Sequence, residues 1–200
     1  MTATQYSLLI KFDAAGLTSV IKSGQFVTVV HSATDPGSPP VAWISFLPME
    51  VNSVQWDSSF AVYQCHSPIP TPIPVISPMS AHLGHTYTLG TNGLFHGTTE
   101  GPSDVATIVN GTAQAMGVGL AVSFTMNGSL DQLEAIDVVT LQPGAQGAFA
   151  PGSIVSIFLT GSMKSGSVLS GVPASALSID SSSHPFMSVS YDDATGTFRM

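Results

Sequence analysis

The chain carries 19 glycines and 14 prolines in 200 residues, and few stretches escape one of them for long enough to form a stable three-turn helix. Between these breakers apolar and polar residues alternate, which is the period of a half-buried strand. Tyr6 to Phe12, Phe26 to Val30, Val41 to Phe46, Val51 to Trp56 and Phe60 to Cys65 read as strands, with a short helical turn or loop at Ala14 to Ile21. The last two strands, joined by Asp57-Ser58-Ser59, read as a hairpin. Pro68, Pro70, Pro72, Pro74 and Pro78 then predict extended chain at an edge, because proline cannot donate to a sheet ladder. His85 to Leu89, Val105 to Val109, Leu120 to Met126, Leu133 to Leu141, Ile154 to Leu159, Val168 to Leu169, Ala176 to Ile179 and Phe186 to Tyr191 continue the pattern. Many short strands with turn residues between them predict an all-β sandwich or barrel.

The chain also resembles itself at an offset of 95 positions. Gly24 to Val29 lies over Gly119 to Phe124, Phe46-Leu47-Pro48 over Leu141-Gln142-Pro143, and Val54-Gln55-Trp56 over Phe149-Ala150-Pro151. Phe60 to Tyr63 falls on Val155 to Phe158, and Pro78 to Ala81 on Pro173 to Ala176; four residues more brings His85 onto His184. Such a repeat predicts an internal duplication into two related β-sandwich units about a pseudo-twofold axis, side by side or intertwined. Residues 1–96 form the first expected unit, 97–104 a Gly- and Pro-marked linker, and 105–200 the second.

Charged residues make up 8% of the chain and the net charge is −8. Four basic residues, Lys11, Lys22, Lys164 and Arg199, are too few and scattered to neutralise a run of phosphates, so nucleic acid is not an expected partner. No apolar run is long enough to span a membrane, and Met1 to Ile10 lacks the features of a secretory signal. A single cysteine, Cys65, fits a reducing compartment, so a cytoplasmic location is expected. Low charge leaves little repulsion between copies, and a homodimer is expected. Asn110-Gly111-Thr112 and Asn127-Gly128-Ser129 read as turns.

No serine-hydrolase elbow, phosphate loop or dinucleotide fingerprint is present, and Cys65 and His66 fall on opposite faces of a strand, so a non-enzyme is expected. Trp43, Trp56, Phe60 and Tyr63 crowd into a short span. They read either as core or as the wall of a pocket for a flat or amphipathic molecule. The candidate ligand contacts are Trp43, Trp56, Tyr63 and His66. His82 and His85 have a spacing that a turn can present to a metal, and equally read as surface or hydrogen-bonded histidines.

Trp43 to Pro48, Asn52 to Trp56 and Phe60 to Tyr63 together resemble a pattern of small fungal fruiting-body proteins, a group that includes β-sandwich lectins, pore formers and chromoproteins. The resemblance implies binding of a small, largely apolar molecule, such as a non-covalent organic chromophore or pigment. A cytosolic lectin or defence protein is the alternative, with Asn52, Gln55, Trp56 and Asp57 as its sugar contacts.

Overall fold

The computed structural model describes residues 3–33, 38–97, 100–129 and 132–200. Among them the chain is mostly strand with one short helix, so the all-β expectation holds. The first stretch contains β1 (Gln5–Lys11), α1 (Ala14–Lys22), β2 (Phe26–Ala33), β3 (Val41–Ala42), β4 (Ile44–Phe46) and β5 (Val51–Asp57). It is followed by β6 (Phe60–Cys65), β7 (Ile76–Ala81), β8 (Thr86–Leu89) and β9 (Phe95–Gly97). A third stretch holds β10 (Ala106–Asn110), β11 (Met116–Met126), β12 (Gln132–Ala135), β13 (Val139–Leu141) and β14 (Gln146–Phe149). The last holds β15 (Pro151–Thr160), β16 (Ser167–Val168), β17 (Leu177–Asp180), β18 (Phe186–Asp192) and β19 (Thr197–Arg199).

Local chemistry accounts for these elements. In β5 the side chains alternate, with Asn52, Val54 and Trp56 buried. The helix starts at Asp13, whose carboxylate accepts from the Gly16 amide at 2.7 Å, and stops before Gly24, whose φ of 66° lies in the left-handed region that favours glycine. The proline-rich run leads into β7, which lies at the edge of the largest sheet, as the missing donors require. Asn127, at φ 51°, sits in a turn, and Asn110, the last residue of β10, holds the bend that follows through side-chain bonds to Thr112 and the Gln114 carbonyl.

The expected hairpin does not form. Ala121 pairs with both Ala61 and Ala135, and Phe124 with both Trp56 and Gln132. β5 and β6 therefore lie end to end along one edge of β11, with β12 on the other edge. Asp57-Ser58-Ser59 carries the chain onward instead of turning it back, because β11, distant in sequence, offers both strands a partner.

The same partner order occurs twice. β1 lies between antiparallel β5 and parallel β18, with β19 beyond; β10 lies between antiparallel β14 and parallel β8, with β9 beyond. Likewise β2 lies between β4 and the β15–β17 pair, and β11 between β13 and the β6–β7 pair. Registers agree as well: Tyr63 faces Gly119 where Phe158 faces Thr28, and Trp56 faces Phe124 where Pro151 faces Ala33.

This pairing crosses the expected division at 97–104, of which residues 98 and 99 lie outside the described residues. Every sheet mixes strands from both sides of that segment. β1–β5 are completed by β15–β19, and β6–β9 by β10–β14. A strand in the middle of a sheet needs hydrogen-bond partners on both edges, and here the second partner comes from the other half of the chain. One hydrophobic core runs through both blocks, joining Leu8, Ile10 and Val54 to Tyr87, Ile108 and Leu120.

Candidate functional site

Cross-strand register assembles an aromatic ladder near the join of the two blocks. Tyr6 of β1 pairs with Trp56 of β5, which pairs with Phe124 of β11. The Tyr6 and Trp56 rings stack at 5.5 Å with a 22° tilt. Trp43, between β3 and β4, enters edge-on, 5.4 Å from Trp56 and 5.2 Å from Phe124. It is 0% exposed, and its indole N–H donates to the Val122 carbonyl at 3.2 Å. His31 of β2 closes the cluster, 5.3 Å from Trp43 and 6.4 Å from Trp56.

The state of His31 follows from its surroundings. Burial among rings and strands lowers its pKa below the ordinary histidine range, and the bond to the Ser32 carbonyl opposes that shift in part. Its Nδ1 lies 3.1 Å from the Ser32 carbonyl oxygen. That nitrogen carries the proton in the neutral ring, which leaves Nε2 as the acceptor.

A cavity of about 180 Å³ opens beside this cluster. Its lining combines Tyr6, His31, Trp56, Val122 and Pro151 with Asp57, Ser58, Ser59, Gly152, Ser153 and Ser181. Asp57 Oδ1 accepts from the Ser59 amide at 2.8 Å, which holds the carboxylate at the end of β5. A neighbouring depression of about 250 Å³ is lined by Gln5, Gln55, Trp56, Asp57 and Phe124 among others.

Of the four expected ligand contacts, the structure brings Trp43 and Trp56 together. Tyr63 lies in a separate cluster with Cys65, Ile73 and Ala121, and its hydroxyl donates to the Asp137 carbonyl at 2.9 Å. His66 is exposed just past the end of β6, beside buried Cys65. Burial pushes the Cys65 thiol up to about 11. Tyr6, His31 and Phe124 were not among the expected contacts, because only strand pairing sets them beside Trp56.

The His82 and His85 rings lie 5.9 Å apart, and His85 stacks on Tyr87 at 6.2 Å. They border an open groove of about 670 Å³ with Met79 and Glu100. Among the described residues, no group of three or more His, Cys, Asp or Glu side chains is placed to hold a metal ion. Nor is any helix among them long and apolar enough to cross a membrane.

No protein-family profile, no curated protein and no solved structure matches this chain.

Proposed function

We propose that the chain is a non-enzymatic binder of a small, largely apolar molecule, held in the cavity beside Trp56. The observation that carries this reading is the meeting, at one concave opening, of the Tyr6, His31 and Trp56 rings with the carboxylate and hydroxyls of Asp57, Ser58 and Ser59. Binding sites combine an apolar wall with a few placed polar groups in this way. A volume of about 180 Å³ is below the roughly 300–1,000 Å³ of drug-sized pockets, which limits the ligand, chromophore or otherwise, to about one ring. Native mass spectrometry with an absorbance spectrum, on protein from its natural source and on recombinant protein, tests the reading. A mass excess lost on denaturation supports it, and equal masses with no added band count against it.

A lectin is the second reading, favoured by Gln55, Trp56 and Asp57 lining the neighbouring depression. Two observations weaken it: Trp56 is only 4% exposed, and Asn52 is buried with its amide bonded to the Met49 and Ile10 carbonyls. Glycan-array binding decides for it.

For the fold we propose an internal duplication about a pseudo-twofold axis whose halves exchange their later strands. The recurring partner order and registers support it. Fragments 1–101 and 102–200 are then expected to fold on mixing. A monomeric 1–101 with a dispersed amide spectrum counts against the exchange.

A further inference from the structure

The cavity lies where the two blocks join, and the two halves of the chain furnish it unequally. With Tyr63 on Gly119 matching Phe158 on Thr28, and Trp56 on Phe124 matching Pro151 on Ala33, the position of His31 corresponds to that of Val122. In the same frame Trp56-Asp57-Ser58 corresponds to Pro151-Gly152-Ser153. All of these residues line the cavity. The first half of the chain contributes the rings and the carboxylate; the second contributes Val122, Pro151, Gly152, Ser153 and Ser181. Gly152 sits in close approach to Ser32, since a Cβ on it would lie 2.2 Å from the Ser32 Oγ and 3.0 Å from its carbonyl oxygen.

The charges in the cavity have one sign. Asp57 is its only Asp, Glu, Lys or Arg among the described residues, in a chain of net charge −8. Buried His31 stays neutral and adds no positive charge at neutral pH. The faces of Trp and Tyr rings are the negative ends of their quadrupoles and attract cations. A carboxylate offers about four acceptor positions, and the Ser59 amide occupies one at Asp57. No Asn, Gln or Arg among the described residues lines the cavity, so the paired donors and acceptors that read a ring of sugar hydroxyls are missing.

Resting on the ligand-binding reading above, we infer that the ligand is a small organic cation, with its ammonium nitrogen at Asp57 and its carbon body against Tyr6 and Trp56. A buried charge needs a paired partner, and Asp57 supplies it. An anion of the same size meets the carboxylate and is rejected.

Three probes of matched size test this: benzylammonium, benzyl alcohol and benzoate, titrated into the full chain by calorimetry and tryptophan fluorescence. Benzylammonium is expected to bind tightest and to perturb Trp56 emission. Asp57→Asn keeps the acceptor for the Ser59 amide; it should weaken benzylammonium at least about tenfold while leaving benzyl alcohol within about twofold. On the unaltered chain, added salt should weaken benzylammonium and not benzyl alcohol, a readout that does not depend on the variant folding. Benzyl alcohol or benzoate binding as tightly as benzylammonium overturns the cation assignment and leaves the ligand-binding reading standing. An Asp57→Asn variant with unchanged preference overturns it too. If none of the three binds at millimolar concentration, the cavity is not a ligand site, and both readings fall.

Discussion

Replacing Trp43 with phenylalanine should destabilise the protein by about 2 kcal/mol, and the structure gives the parts of that figure. The indole is fully buried, so the smaller ring leaves a void of roughly 40 Å³, worth about 1 kcal/mol at ~24 cal/mol per Å³. Loss of the 3.2 Å bond to the Val122 carbonyl costs about 1 kcal/mol more. The edge contacts at 5.2–5.4 Å to Phe124, His31 and Trp56 are retained in part by the phenyl ring. For a chain of this size about 2–4 °C is lost per kcal/mol, so Tm should fall by about 4–8 °C in a thermal unfolding scan. Leu47→Ala, at a side chain 56% exposed, is the control and should stay within about 0.5 kcal/mol of the parent. A Tm for Trp43→Phe within about 1 °C of the parent would refute the reasoning, because a loosely packed or solvated indole is the only way to lose both contributions at no cost.

Gly119→Ala should be far worse than its size suggests: the added Cβ falls 2.0 Å from the Asp137 carbonyl oxygen, backbone against backbone, and a loss above about 3 kcal/mol is expected in urea unfolding. Gly161→Ala, with open space around its Cβ, is the matched control and should unfold like the parent. His31 has a folded pKa below its unfolded value near 6.5, so the unfolded chain binds a proton first; its contribution to stability is complete above about pH 6.5 and declines as pH falls through and below that value. Urea unfolding at pH 7.5 and 5.5 should show a larger drop for the parent than for His31→Gln, and equal drops would refute the assignment. The Cys65 thiol, fully buried and pushed up to about 11, should resist a thiol reagent at pH 8 in the folded protein and react fully in denaturant. Rapid labelling of the native protein would contradict its burial.

Much of the fold was legible from local chemistry. Glycine and proline spacing excluded long helices, and alternation located most strands within a residue or two, because strand faces repeat every second residue. Some bounds moved for tertiary reasons. The Val41 to Phe46 strand breaks at Trp43, where the indole turns into the core, and Leu133 to Leu141 breaks at 136–138, where Gly119 passes beneath Asp137. The offset of 95 holds at Trp56 and Pro151 and at Tyr63 and Phe158, but the register places Gly119 on Thr28 instead of Gly24. On the duplication proposed above, the repeat reads in outline from the sequence and is misaligned there in detail.

The site was half legible. Trp43 and Trp56 announce themselves as the two tryptophans of the chain, and both take part in the cluster. Tyr63 is close to them in sequence, yet it lies in another cluster, since β6 buries both faces and Tyr63 sits on the face away from Val62. Tyr6, His31, Phe124 and Asp57 carry no local mark of their meeting. Sequence alone determined that this chain forms short strands, few charges and no long helix, because those properties depend on each residue and its near neighbours. Which strands pair, and hence which rings face one cavity, was decided only by tertiary structure, because a strand's edge accepts any complementary edge and the choice is made by burial of the whole core.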